Sequence, residues 1–298
     1  MLKKLEDLVQ LAKAKGVRRC VVPAANDEEV LLAVHDAAKQ GIIKPILIGD
    51  KAAIEGLIEE HSLKFDEIEI IHEPNDREAA KLAVKKVHDK EADMIMKGLL
   101  GTAAYMGAIL NKETGIKSSK VLSHVAIFEA PRFNKIMAVT DVALNITPDL
   151  KTKVEIVNNS LQVMHGLGFE KPKVAMLAAV ETVKPDMIAT IDAACIAKMA
   201  ERGQIKNCVI DGPLALDNAL SKEAAKIKKI TSEVAGDADI LVAPEIVSGN
   251  VIYKGLVHFS GVEMAAIIVG AKVPVVLTSR SDSHTSKFYS IALAAALG

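Results

Sequence analysis

Short apolar runs alternate with longer, periodically apolar segments along most of the chain. RRCVVPAA (18–25), KPILIGD (44–50), EIEIIHE (67–73) and ADMIMKG (92–98) read as strands. The segments between them, DEEVLLAVHDAAKQG, AAIEGLIEEHS and DREAAKLAVKKVHDK, place apolar residues three and four apart, as on one face of a helix. Strands alternating with helices of this length predict βαβ units and a parallel sheet. The pattern changes after about residue 120. VLSHVAIFE and KIMAVTDVAL are separated only by APRFN, too short for a helical crossover, so they are predicted as antiparallel neighbours. The alternation then resumes. Helices are predicted over 149–165, 186–201, 221–235 and 250–270, with a last helix from about 285 to 297. Strands are predicted over 173–180, 207–212, 238–245 and 272–278. The expected fold class is α/β.

Composition narrows the possible functions. Lys plus Arg is 37 and Asp plus Glu is 38, so bulk charge argues for neither nucleic acid nor an anionic membrane as partner. Aromatics are 3% of residues and Trp is absent, which argues against stacking platforms for single-stranded nucleic acid. No apolar run approaches the ~18 residues of a membrane span. The N-terminal MLKKLEDLVQLAKAKG has no cleavable leader pattern. Cys20, Cys195 and Cys208 lie far apart and read as small buried apolar residues, consistent with a reduced, cytoplasmic protein.

The chemistry-bearing residues gather where predicted strands end. Phosphate-loop, dinucleotide-binding and HExxH patterns are missing, and no Cys/His cluster has metal spacing, so no metal is expected. In LTSRSDSHTSKFYS a strand delivers Ser279, Arg280, Ser281, Asp282 and Ser283 to a helix N-terminus. Hydroxyls, a guanidinium and open backbone N–H groups there make an anion site. In MKGLLGT, Lys97, Gly98, Gly101 and Thr102 follow a strand and open a helix. A backbone without side chains admits a ligand closely there, and Lys97 supplies charge. Ser123 and His124 fall in a strand, where a satisfied core histidine is the competing reading. Asp141 and Asn145 flank a strand end, and Pro148 and Asp149 read as helix-opening residues. DGPLALDNALS places two acids and an Asn in a strand-to-loop segment, with Ser221 as a helix cap. SGNVIYKG contributes Gly249, Asn250, Tyr253 and Lys254, with helix capping by Asn250 as the alternative. Polar loops at many strand ends suggest an extended, phosphate-bearing ligand.

Taken together, these segments resemble the phosphate acetyl/butyryltransferase family. SGNVIYK is similar to its TGN-x-x-YK segment and SRSDS to its SRG-x-S loop, while TDVALNITPDL and DGPLALDNALS match further family blocks. The resemblance runs from about Ala92 to the C-terminus, and MLAAVETVKPDM lies nearer the butyryl branch than the acetyl branch. It implies the reaction acyl-CoA + phosphate = acyl phosphate + CoA. CoA and phosphate enter as substrates, with no metal or redox cofactor. It also implies two three-layer α/β domains with a cleft between them, an isocitrate-dehydrogenase-like architecture. The expected division is 1–135 plus 270–298 and 136–269, in a homo-oligomer built from dimers. By the same resemblance Ser279, Arg280 and Asp282 are the catalytic candidates. The acetyl branch carries an Asp seven positions after the Ser of this loop; here that position is Ser286, and Asp282 is the nearest acid. An acetyl-transferring enzyme and a non-catalytic acyl-CoA-binding domain of the same fold are the alternatives. A metal-dependent oxidative decarboxylase fits less well, because Arg280 is the only Arg after Arg202.

Overall fold

The computed structural model describes residues 2–279 and 281–298. The elements run α1 (Glu6–Lys15), β1 (Arg18–Pro23), α2 (Glu28–Lys39), β2 (Ile43–Gly49), α3 (Lys51–Glu60), β3 (Glu69–His72), α4 (Asp76–His88), β4 (Met94–Met96) and α5 (Thr102–Ile109). Then come β5 (Ser123–Ala130), β6 (Lys135–Thr140), α6 (Leu150–Gly166), β7 (Lys173–Leu177), α7 (Ile188–Glu201), β8 (Val209–Leu214), α8 (Leu216–Leu220) and α9 (Lys222–Ile227). The chain finishes with β9 (Ile240–Val242), α10 (Ile246–Ser260), β10 (Met264–Val269), β11 (Val275–Val276) and α11 (His284–Leu297). The predicted α/β alternation is present throughout.

The chain divides into two compact units, Lys120–Val262 and Lys4–Ser119 with Glu263–Gly298. The sequence placed the boundaries at 135/136 and 269/270. The first falls earlier because β5 and β6 form one antiparallel pair, Val125 opposite Thr140 through Ala130 opposite Lys135, which stays whole within one unit; the second falls earlier because Met264–Val269 is the strand β10, paired with β11. A cut at 135 would sever the β5–β6 ladder.

In the unit Lys4–Ser119 with Glu263–Gly298 the strand order is β3-β2-β1-β4-β11-β10. β1 to β4 and β11 are mutually parallel, and β10 lies antiparallel to β11. The central strands are buried on both faces, as Cys20–Val22 and Met94–Met96 show, which explains their unbroken apolar reading. Asp27, Asp50 and Asn75 cap α2, α3 and α4 through their side chains, satisfying N–H groups left open at each helix start. The predicted helix over 250–270 is corrected. α10 stops at Ser260, where Gly261 adopts the left-handed conformation, and 264–269 is the fully buried strand β10. MAAIIV is apolar at every position, so periodicity alone cannot separate a buried strand from a buried helix.

In the unit Lys120–Val262 the order is β5-β6-β9-β7-β8, with β6, β9, β7 and β8 parallel. Asp149 and Ser221 cap α6 and α9 as predicted. The helix expected over 221–235 is only α9, with the short α8 before it. The cysteine reading also needs correction. Cys20 is buried, but Cys208 is half-buried just before β8 and Cys195 is exposed on α7.

Candidate active site

In the unit Lys4–Ser119 with Glu263–Gly298, β4 and β11 run side by side and end together, Val276 opposite Met96. This brings Lys97 and Gly98 beside the segment leading to Ser279. The Lys97 N–H donates to Val276 O at 3.1 Å. The Lys97 side chain is 5% exposed and its Nζ donates to Gly98 O at 3.3 Å. Gly98 has no room for a side chain: a Cβ would lie 2.2 Å from Ala24 O. At Gly101, the residue before α5, a Cβ would meet nothing within 4 Å, so the backbone faces open space. Thr102 is exposed at the first position of α5.

The Ser-rich loop is held from within. Asp282 is 6% exposed, and its Oδ2 accepts the Ser279 N–H at 2.7 Å. The Asp282 N–H donates in turn to Ser279 O at 3.2 Å, closing the turn. The hydroxyls of Ser279 and Ser281 lie 3.0 Å apart. Ser283 is the N-cap of α11, accepting the Ser286 N–H at 3.1 Å. Arg280 lies outside the described residues.

Two features of this loop escaped the sequence reading. Lys287 is 3% exposed, and its Nζ donates to the Asp282 carbonyl. It is the one charged position in the otherwise uncharged HTSKFYSIALAAAL helix, a signal that was available. Glu263 lies twenty residues upstream in sequence, yet its Oε2 accepts the Ser283 hydroxyl at 2.7 Å and the Ser286 hydroxyl as well. Nothing local in the sequence links those residues.

In the unit Lys120–Val262, Asp141 directly follows β6 and is 3% exposed. Its carboxylate accepts the N–H groups of Ala143 (2.9 Å), Leu144 (3.1 Å) and Asn145 (3.2 Å), and the Asn145 amide. The Asn145 amide also donates to Leu122 O at 2.8 Å. Asp141 and Asn145 therefore organise the 141–145 turn. Gly249 lets α10 touch that turn: a Cβ there would lie 2.2 Å from Asp141 O. The Asn250 amide donates to Val142 O at 3.1 Å, while the cap of α10 is Glu245 rather than Asn250. Ser123 is fully buried and accepts the Asn159 amide at 2.9 Å. His124 is 4% exposed and its ring meets Tyr253 edge-on, with centroids 6.4 Å apart. Lys254 is exposed on α10. The structure thus gathers Lys97, Gly98, Ser279, Asp282 and Ser283 at one set of strand ends. In the other unit it gathers Asp141, Asn145, Gly249 and Asn250, with His124 against Tyr253.

Burial disfavours the thiolate at two of the three cysteines, Cys20 and Cys208. Complete burial pushes the Cys20 thiol up to about 12. Partial burial raises Cys208 as well, against a smaller opposing effect from Lys171. Among the described residues no group of His, Cys, Asp and Glu could hold a metal ion, and no helix is long and apolar enough to cross a membrane.

Comparison with known proteins decides the family. The sequence profile described as "Phosphate acetyl/butaryl transferase" matches residues 4–83 and 68–295. The chain belongs to this family. It is 49% identical to the phosphate butyryltransferase of Clostridium acetobutylicum, over 99% of this chain and 98% of that protein. It is 43% identical to the phosphate acetyltransferase of Thermotoga maritima, over 98% of each chain. The crystal structure of a branched-chain phosphotransacylase from Enterococcus faecalis V583 matches with a TM-score of 0.82 at 33% identity, covering 94% of this chain and 98% of that one. The family relationship makes this protein an acyl-transferring enzyme, as the sequence analysis expected.

Proposed function

We propose that this enzyme is a phosphate butyryltransferase that moves a short acyl group between CoA and inorganic phosphate by direct transfer in a ternary complex. The observation that carries the reading is the Ser279–Ser283 loop at the start of α11. Asp282 holds it shut from inside, and the buried Lys97 and Lys287 lie against the same strand ends. Such a site is rich in anchored donors and cations and has no fit nucleophile. Its rate enhancement comes from positioning two substrates, up to about 7–11 kcal/mol. Fixed donors facing the developing negative charge add about 3–4 kcal/mol each.

In this reading Ser279 and Arg280 hold the transferring phosphoryl group, and Asp282 fixes the loop that presents them. Lys97, Gly98, Gly101, Thr102, Ser281 and Ser283 complete the anion-binding side. In the other unit, Ser123, His124, Asp141, Asn145, Gly249, Asn250, Tyr253 and Lys254 are the proposed substrate-binding residues. The reaction uses CoA and phosphate as substrates and calls for no metal or redox cofactor. The three free thiols support a cytoplasmic protein. The homo-oligomer built from dimers is supported by α10, a strongly apolar helix that leaves Val247, Val251 and Phe259 exposed, Phe259 at 94%.

The test is thiol release from acetyl-, propionyl-, butyryl- and isobutyryl-CoA, with and without phosphate. Two further methylenes buried in an apolar pocket contribute about 0.8 kcal/mol each. Butyryl-CoA should therefore exceed acetyl-CoA by at least tenfold in kcat/KM, with isobutyryl-CoA also used. Absent release would leave only a binding domain, and release that does not depend on phosphate would make the enzyme a thioesterase rather than a phosphate acyltransferase. Acetyl-CoA equal to or better than butyryl-CoA would make the enzyme an acetyltransferase.

A further inference from the structure

We propose that Glu263 is the general base that takes the CoA thiol proton; the proposal rests on the acyl-transfer reading given above. A thiol with a reference pKa of about 8.5 is only a few per cent ionised at neutral pH. Forming acyl-CoA from acyl phosphate therefore calls for a group that removes the proton as sulfur attacks.

The acids around the Ser279–Ser286 loop differ in what they are free to do. Asp282 is buried, and its Oδ2 is taken up by the Ser279 N–H that closes the loop. Glu29 faces the His284 ring at 3.9 Å on the flank of the loop. Glu263 is only partly buried and is anchored through a single oxygen, Oε2, by the Ser283 and Ser286 hydroxyls. Ser286 is itself fixed, because its Oγ accepts the Met264 N–H at 3.0 Å. Oε1 takes no hydrogen bond from a described residue. One oxygen is locked to the residue that ends the catalytic loop, and the other remains able to accept a proton. That division of labour suits a positioned base. Lys287, which holds the Asp282 carbonyl, and His284 are the nearby cationic or titratable groups on α11.

The step balances without a further reactant. Oε1 accepts the S–H proton while sulfur forms the C–S bond to the acyl carbon. The C–O bond to the phosphoryl group breaks, phosphate leaves with that electron pair, and the proton passes from the Glu263 carboxyl to a phosphate oxygen. In the reverse direction the protonated carboxyl donates to the departing thiolate.

The decisive variant is Glu263→Gln, whose side-chain oxygen can accept both hydroxyls but has no basicity at neutral pH. With butyryl phosphate and CoA, kcat at pH 7 should fall by about 10²–10³-fold. The pH profile should also change shape. Between neutral pH and the thiol's own pKa of about 8.5 the wild-type rate should stay level, whereas the Glu263→Gln rate should climb close to tenfold per unit as free thiolate replaces the missing base. Glu263→Asp keeps a carboxylate one methylene further back, so it should show a lower kcat with the level profile preserved. It also serves if Glu263→Gln does not fold. A Glu263→Gln rate equal to wild type overturns the proposal. So does an equal loss at every pH, or a climbing profile in Glu263→Asp. A wild-type protein that makes no acyl-CoA refutes the acyl-transfer reading itself, and the proposal with it; an active wild type with an active Glu263→Gln removes the proposal alone.

Discussion

Replacing Gly249 by Ala separates the stability of α10 from its role in the site. The new Cβ would lie 2.2 Å from Asp141 O and 3.2 Å from the Ala243 Cβ. A carbon–oxygen contact needs about 3.3 Å, so the helix and the 141–145 turn must part by about 1 Å. The turn cannot yield cheaply, because the Asp141 carboxylate already binds the backbone of Ala143, Leu144 and Asn145. Overpacking of this kind costs about 1–3 kcal/mol. Ala in place of Gly inside a helix returns about 1 kcal/mol. The net loss is therefore about 0–2 kcal/mol, a fall in Tm of no more than about 5 °C. Activity should suffer far more, since a 1 Å misplacement at a site costs on the order of 10²-fold. Gly255, in the same helix, provides the control. A Cβ there meets only the Phe259 ring, at 3.8 Å. Gly255→Ala should gain about 1 kcal/mol from helix propensity and leave kcat/KM unchanged. Thermal melts and kcat/KM with butyryl-CoA, measured on both variants, decide the matter. If Gly249→Ala matches Gly255→Ala in both, the contact between α10 and the Asp141 turn does not shape the site.

Two further outcomes follow from the same structure. A Cys20→Ala, Cys195→Ala, Cys208→Ala triple variant should retain kcat apart from losses of packing if transfer is direct, since burial raises the Cys20 and Cys208 thiols and Cys195 lies exposed on α7, which carries none of the residues of the proposed site; mass spectrometry that traps an acylated cysteine would refute direct transfer. Lys153 and Asp192 form an ion pair at 2.6 Å with side chains 5% and 9% exposed. Lys153→Met alone should therefore cost about 3–5 kcal/mol in urea denaturation by stranding a buried carboxylate, whereas Lys153→Met with Asp192→Leu should come out near neutral. A loss below 1 kcal/mol in the single variant would show that Asp192 finds another partner or a proton.

Much of this architecture was legible along the chain. Strand segments buried on both faces are apolar, so Cys20–Pro23 of β1, Pro45–Gly49 of β2 and all of β4 announced themselves, and the helices between them carried their own caps at Asp27, Asp50 and Asn75. The APRFN turn was too short for anything but an antiparallel pair. The Ser-rich approach to α11 was visible because capping and anion binding call for the same residue types. Long-range partnership was not visible. MAAIIV is a strand whose backbone is satisfied by β11 and by the Ser286 and Ser290 hydroxyls, all supplied from elsewhere in the chain. The sequence showed Asp141 and Asp282 as acids near strand ends, but only folding revealed that their carboxylates hold backbone N–H groups of their own turns. Glu263 drew no attention in a run of apolar residues, and α11 alone makes it notable by bringing two hydroxyls to one of its oxygens. Local pattern determines which backbone conformation a segment prefers. The use of each polar side chain depends on hydrogen bonds and burial supplied by residues distant in sequence, and those exist only once the chain has folded.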